Sequence, residues 1–317
     1  MKLLSVIIPA YNERDNIRNT AATVSNILEA ADIPFELIFV SDGSKDETFL
    51  RIQEESLDDS RVKGIEFSRN FGKEAAIFAG LDTACGDCAV VIDCDLQHPP
   101  ETIPKMYRLW EEGYDIVEGI KKSRGRESVI HRTFANSFYK LMTKGMKINM
   151  KSSSDFKLLD RKIINILTSL QETNTFFRAL SFWTGFRSIQ LEYKVQERVH
   201  GESKWSFGSL MKYAISNITS FSTAPLQFVT ILGCISIVLS ILLMIQTLVR
   251  FFMGKSVAGF TTVILLILIV GGAIMISLGI IGYYLARMYD EIKNRPKYII
   301  WHKTENLEKE KEENLNK

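Results

Sequence analysis

Four short polar clusters fall within the first hundred residues of this 317-residue chain, each directly after an apolar run. They are Pro9-Ala-Tyr-Asn-Glu13, Ser41-Asp-Gly-Ser-Lys-Asp46, Ser68-Arg-Asn-Phe-Gly-Lys73 and Asp93-Cys-Asp-Leu-Gln-His-Pro-Pro100. Asp93 and Asp95 alternate across one residue, so a turn can bring one or both carboxylates to a divalent cation and a diphosphate. Mg²⁺ takes one or two carboxylates and fills the rest of its shell with water and substrate phosphates. A bare DxD also recurs by chance as a solvated turn. Its position, after VVI and before QHPP, favours the metal and diphosphate reading. No GxGxxG and no GxxxxGK[ST] occurs, which removes the main support for a dinucleotide or P-loop site. His98 is the only one of the four histidines inside a site motif, and it reads equally well as a turn residue before Pro99.

The apolar runs before these clusters read as strands. LLSVII from Leu3, FELIFV from Phe35, VKGIEF from Val62, CAVVI from Cys88 and YDIVEG from Tyr114 start 32, 27, 26 and 26 residues apart, the length of a βα unit. Helical patterns lie between them, with Ile17, Ala21, Val24 and Leu28 on one face and a small-residue stripe through Ala75, Ala76, Ala79, Gly80 and Ala84. Ser44 and Glu47 have capping-box spacing for the second helix. Strands apolar on both faces and alternating with helices predict an α/β fold with a mainly parallel sheet covered on both sides. Ligands of such sheets bind beyond the carboxyl ends of the strands, where the four clusters sit.

Hydrophobic residues make up 46% of the chain and charged residues 24%, which excludes disorder as the main state. A net charge of +2 excludes a field that would gather nucleic acid. Four cysteines are too few for a disulfide framework and suit a reducing compartment. The charge is unevenly spread: Tyr213 to Val249 and Ser256 to Ala286 contain none. Within them, Phe228–Val249 and Phe260–Ala286 give 22 and 27 nearly continuous apolar residues, each long enough for a hydrocarbon layer of roughly 30 Å. LLSVIIPA at the start is too short for a signal peptide. Seven basic residues (Lys204, Lys212, Arg287, Lys293, Arg295, Lys297 and Lys303) flank the two spans outside, against Arg250 and Lys255 between them, which predicts both ends in the cytoplasm.

PAYNE, SDGSKDET, SRNFGKEAA and DCDLQHPPE, in that order, resemble the GT-A glycosyltransferases of family 2. The similarity is greatest to the branch of dolichyl-phosphate mannose synthases and bacterial bactoprenol glucosyltransferases, and it covers residues 3 to about 225. It implies a Rossmann-like GT-A fold and inverting transfer of a hexose from a nucleotide-sugar to a polyprenyl phosphate, with Mg²⁺ or Mn²⁺ as cofactor. UDP-glucose is the preferred donor, then UDP-N-acetylglucosamine and GDP-mannose. The resemblance places Pro9, Tyr11, Glu13, Asp42, Lys73 and Asp93 on the nucleotide-sugar, and Asp95 and Gln97 at the metal. Ser41 departs from the Asp often found in a VDDGS pattern, while Asp42 is retained. SSDFKLLDR resembles the segment whose Asp is assigned as catalytic base, here Asp155, although an ordinary cap before LLDRKIINIL is the alternative. Arg198, Ser203 and Lys204 within RVHGESKW resemble a segment closing over the diphosphate. Arg124 and Arg132, in a basic run before the amphipathic FANSFYKLMTKGM, correspond to acceptor-phosphate arginines, with a solvated face as the alternative.

The expected organisation is a cytoplasmic GT-A domain over 1–205, an interfacial amphipathic segment over 206–225, a transmembrane hairpin over 226–287 and a charged cytoplasmic tail over 288–317. Expected partners are the two substrates, membrane lipids and a separate flippase, with self-association allowed and nucleic acid excluded. A processive polysaccharide synthase and a noncatalytic nucleotide or phospholipid sensor are the rival functions. The first lacks a clear QxxRW element and a pore-forming number of spans, and the second does not need Asp93, Asp95 and Asp155 together. The topology has a direct test. A cysteine at Ser256 should react with an impermeant thiol reagent outside whole cells, and one at Asn306 should not; labelling at position 306 would reverse the orientation.

Overall fold

The computed structural model describes residues 2–121, 154–172, 175–193, 224–254 and 259–307. Two compact units result, one holding the described residues up to Tyr193 together with 296–307, the other running from Ala224 to Arg295. Eight strands build the first unit: β1 (Leu4–Ala10), β2 (Phe35–Ser41), β3 (Val62–Phe67), β4 (Cys88–Val91), β5 (Ile116–Lys121), β6 (Lys157–Asp160), β7 (Ser188–Tyr193) and β8 (Ile300–Lys303). They form one sheet in the order β7-β5-β6-β4-β1-β2-β3-β8. The central strands β4, β1, β2 and β3 are parallel, as is the pair β5 and β7. The expected fold class therefore holds, with the first five strands near the expected positions.

The helices are α1 (Ile17–Ala30), α2 (Thr48–Asp58), α3 (Lys73–Thr83), α4 (Ile103–Glu111), α5 (Arg161–Ser169) and α6 (Phe177–Trp183). Ile17, Ala21, Val24 and Leu28 of α1 are buried, as their spacing requires. α3 lies tight on β1, because a side chain at Gly80 would collide with Ile7. The expected capping box does not form. Asp46 accepts the Thr48 N–H at 3.1 Å, and Ser44 instead receives the Asn12 N–H, also at 3.1 Å. The chain uses Ser44 to tie the β1 and β2 loops together rather than to cap α2.

Two features position the site. From β1 the chain builds outward through β2 and β3, then returns to the other side of β1 with β4, so the carboxyl ends of β1 and β4 flank a topological switch point. Beside β4 lies β6, running antiparallel, with Val90 opposite Leu158. This reversal brings the residues just before β6 to the edge where β4 ends. Asp155 reaches the crevice from a strand's amino end, among groups that arrive from carboxyl ends.

The stretch 288–317 read as a charged tail, and part of it is sheet. β8 pairs antiparallel with β3, the Ser68 N–H donates to the Ile299 carbonyl at 3.0 Å, and Thr304 Oγ1 accepts the Gly64 N–H at 3.0 Å. Thr304 and Leu307 are buried, and Tyr298 stacks on Phe67 with ring centroids 5.1 Å apart. The reading as a tail rested on the polar run from Lys303 onward and passed over the short apolar YIIW before it, where this four-residue edge strand begins.

The second unit contains two long helices, α7 (Ala224–Phe252) and α8 (Phe260–Ile292). Within them Pro225–Arg250 and Ile269–Ile292 are long and apolar enough to cross a membrane. Their apolar side chains, such as Ile237, Leu242, Ile267 and Met275, are mostly exposed, unlike those of a soluble core.

Deleting residues 296–317 should open the β3 edge. Hydrogen exchange would show faster exchange at Gly64 and Ser68, while amides between β1 and β2 keep their protection. Unchanged exchange at Gly64 and Ser68 would mean that β8 does not hold this edge.

Candidate functional site

At one end of the crevice, the loop after β2 packs on the loop after β3. Gly43 has φ +61°, and a side chain there would collide with the backbone of Arg69 and Asn70. Glycine lets the two loops touch, and Asp42 then accepts the Phe71 N–H at 2.6 Å and the Gly72 N–H at 2.9 Å. Burial raises the Asp42 carboxyl above its usual range against the pull of those two N–H groups and Arg69. Each of its oxygens keeps a second lone pair for a ligand. The loop after β1 contributes Tyr11, which is exposed, and Glu13, whose carboxylate takes an amide N–H of Asn16 at 2.5 Å. Burial pushes Glu13 up, and the negative charges of Asp95, Asp46 and Asp93 push it further.

The centre of the crevice is a charged chain. Lys73, at the start of α3, places Nζ 2.5 Å from Asp93 Oδ1 and 3.0 Å from Asp155 Oδ2. Arg178, on α6, grips Asp155 with Nε to Oδ1 at 2.6 Å and Nη2 to Oδ2 at 2.9 Å. Burial alone would raise the Asp155 carboxyl; Arg178 first and Lys73 second overcome that and hold it far below the carboxylate range. The Lys73 side chain is partly exposed; the desolvation of its ammonium acts to lower it, yet Asp93 and Asp155 drive it well above the ordinary lysine value. Beside them Glu74 accepts the Phe177 N–H at 2.9 Å, and burial with the Asp155 charge pushes it up to about 7. Both oxygens of Asp155 are thus engaged by cationic donors, Oδ1 by Arg178 and Oδ2 by Arg178 and Lys73.

Asp95 and Gln97 form the outer lip. The Gln97 N–H donates to Asp95 Oδ1 at 3.1 Å, and Leu96 between them has φ +53°, an uncommon backbone for a leucine. The Gln97 amide nitrogen is buried without a hydrogen-bond partner, and the orientation of an amide is interchangeable, so this group has an unused polar contact. Among the described residues no three His, Cys, Asp or Glu side chains form a closed metal cage. The negative charges of Asp95, Asp46 and Asp93 nevertheless all act on Glu13 across the lip. One or two carboxylates, an amide oxygen and open positions fit a hard cation that shares its shell with phosphate oxygens. His98 is buried here, stacked on Phe156 with centroids 5.0 Å apart, and its Nδ1 lies 3.4 Å from the Asp93 backbone nitrogen.

The structure thus brings together Lys73, Asp93 and Asp155, with Glu13 and Asp95 close enough for their charges to act on one another, and it places Asp42 on the adjoining loops. Arg124, Arg132, Arg198, Ser203 and Lys204 lie outside the described residues. Arg178 escaped the sequence reading. Lys157 and Glu118 escaped it too, and the available signal was a charged residue in the middle of an apolar strand, in FKLLD and in IVEGI.

A doubly wound sheet with a DxD turn at its switch point and a cation-bridged carboxylate pair belongs to the class of GT-A glycosyltransferases. The chain matches the model of Glycosyl transferase family 2 over residues 5–183 and belongs to that family. It is 38% identical over 302 residues to the SfII prophage-derived bactoprenol glucosyl transferase of Shigella flexneri, covering 94% of this chain and 97% of that one. A putative glycosyltransferase of Bacillus subtilis, CsbB, is 39% identical over 94% of this chain and 91% of its own. An uncharacterized glycosyltransferase of a Synechocystis strain is 38% identical over 94% of both chains. Among solved structures, glucosyl-3-phosphoglycerate synthase from Mycobacterium tuberculosis, in complex with Mn²⁺, UDP and glucosyl-3-phosphoglycerate, has the same fold. Its TM-score is 0.52 at 20% identity, over 69% of this chain and 80% of that one.

The Asp155–Arg178 pair makes stability depend on pH in one direction. A carboxyl held below its unfolded value of about 3.9 stabilises the fold above that pH and loses its contribution as pH falls through the folded value. Asp155→Asn should cost about 3–5 kcal/mol at pH 7, with the gap to wild type beginning to narrow as pH falls below about 4. Thermal unfolding of the detergent-solubilised full chain across pH 3 to 7 checks this, and a gap that stays constant would contradict it.

Proposed function

We propose that this chain transfers glucose from UDP-glucose, with inversion, to the phosphate of a membrane polyprenyl phosphate, giving a lipid-linked monosaccharide. The observation that carries the reading is Asp155 held between Lys73 and Arg178 at the end of the diphosphate crevice, in a chain with two helices of bilayer length. The bactoprenol glucosyl transferases to which it is similar over nearly their whole length support the lipid acceptor and the sugar.

The chemistry follows from the charges. A phosphate monoester has its second pKa near 6, so at neutral pH most of the acceptor is already the dianionic nucleophile and needs little proton removal. Asp155, held ionised by two cations, is suited to orienting groups rather than to accepting a proton. Lys73 and Arg178 offset the repulsion between this carboxylate and the incoming dianion, which must lie in line with the anomeric carbon. Asp95, Gln97 and one lone pair of Asp93 would hold Mg²⁺ or Mn²⁺, which supplies charge neutralisation to the departing diphosphate. Asp42, Tyr11, Pro9 and Glu13 would receive the nucleoside.

The order of elements along the chain supports the same reading. The sheet takes seven strands from before the two apolar helices and β8 from after them. A double crossing of the bilayer returns the chain to the side it left, which such a sheet needs. With the basic flanks, that side is the cytoplasm, and the product would need a separate flippase to cross.

The test is sugar transfer from radiolabelled UDP-glucose into organic-extractable lipid, with mass spectrometry of the product. The expected product is a single hexose on polyprenyl phosphate. An insoluble polymer would overturn this in favour of a processive synthase, and donor binding without turnover in favour of a sensor. Excess chelator and Asp95→Ala should each lower the rate by roughly 10²-fold or more. Asp155→Asn should lose roughly 10²-fold while still binding donor, and pH 9 should not restore it. Recovery at high pH would make Asp155 a simple base.

A further inference from the structure

Beneath Asp155 lies a second ion pair that the proposed chemistry does not use. Lys157 and Glu118 are both fully buried, with Nζ 3.3 Å from Oε1. Lys157 Nζ also donates to the Arg178 carbonyl at 3.2 Å and to Ser181 Oγ at 2.8 Å, so its three N–H groups are all matched. Glu118 Oε1 accepts the Ser154 N–H at 3.1 Å, and Oε2 accepts the Gln190 amide at 3.0 Å. Ser154 Oγ donates to the Gly119 carbonyl at 2.6 Å. Lys157 therefore holds the backbone of Arg178 itself, and Glu118 holds the backbone of the residue before Asp155.

We infer that the Lys157–Glu118 pair is a positioning device, which fixes the Asp155–Arg178 pair at both backbones and so sets the geometry that receives the acceptor phosphate. The inference rests on the proposed function for what the geometry is used for. The contacts at the start of β6 give the mechanical reason: Asp155 and Lys157 both reach α6, while Phe156 packs against His98 and Tyr193. A displacement of Lys157 is passed to Asp155 two residues away and to Arg178 through its carbonyl. Stability gives no reason to keep these charges, since a buried ion pair is often matched or exceeded by apolar side chains of the same volume. What an ammonium does here, and a methionine cannot, is bind a carbonyl, a hydroxyl and a carboxylate at fixed angles.

Titration is consistent with this geometry. Burial lowers the Lys157 amine to about 8 against the pull of Glu118 and Asp155, while the positive charge of Arg178 adds to the lowering. Within the described residues, these three charges face it from β5, the start of β6 and α6.

The experiment separates positioning from folding. Lys157→Met leaves Glu118 buried without its cation and should lower both the unfolding temperature and kcat. The double variant Lys157→Met with Glu118→Gln removes both charges and should regain most of the unfolding temperature. Its kcat should stay down by about 30-fold or more, with donor KM within about 2-fold of wild type. Recovery of kcat together with stability would overturn the proposal. A second readout is independent of turnover: the Arg178 guanidinium Nε–H resonance, in full chain labelled at arginine, reports its bond to Asp155. It should move in the double variant, and an unmoved resonance would also overturn the proposal. A moved resonance in a chain whose wild type makes no lipid-linked sugar would leave the positioning device standing and sink the functional reading alone.

Discussion

One ammonium joins the two carboxylates at the centre of the crevice. Lys73 Nζ lies between Asp93 and Asp155, two carboxylates delivered by neighbouring antiparallel strands, which without a cation between them would repel. Arg178 adds a second cation on the far side of Asp155. The consequence is an alternating row of charges, and each carboxylate in it stays ionised although desolvation favours its neutral form. The row needs four separate elements to end at one place: α3 for Lys73, β4 for Asp93, the lead into β6 for Asp155 and α6 for Arg178. Most of the sheet topology can be read as the solution to that requirement.

The antiparallel insertion of β6 carries much of it. A parallel strand in that position would present its carboxyl end, and the residue reaching Asp93 would come from Asp160 rather than Asp155. Asp160 instead caps α5, where its side chain accepts the Lys162 N–H. The same reversal sets β6 beside β5, so that Lys157 faces Glu118 across the ladder. A comparable buried pair, Lys63 with Glu36 at 2.8 Å, sits between β3 and β2, where Glu36 also accepts from Ser5 and from the Cys85 backbone. Both pairs have their polar atoms matched to neighbours, as burial of charge demands. They differ in what they hold, since the Glu36 pair ties loops at the amino edge of the sheet and the Glu118 pair ties the groups around Asp155.

The edge strand β8 gives the two apolar helices a structural context. The chain after the second long helix adds β8 to the sheet beside β3, next to the loop that donates two N–H groups to Asp42. Tyr298 stacks on Phe67, which in turn meets Phe71 edge-on at 5.7 Å. The segment following the second long helix thus supports the loop after β3 that holds Asp42.

Much of this was legible in the sequence, for reasons of range. Strands β1 to β5 and helix α1 follow from periodicity and from turn residues a few positions away, and the DxD cluster follows from its place after a buried strand. The apolar helices follow from composition alone. Tertiary structure decided the remainder. SSDFKLLDR does not reveal that its strand runs against β4, IWHK does not reveal a partner more than two hundred residues earlier, and Ser44 serves Asn12 because the β1 loop lies against it. Arg178 became part of the site only when α6 was laid over β6. Local sequence fixes what a segment prefers, while the approach of charges from distant segments depends on strand direction and order, which are set by the burial of the whole core at once.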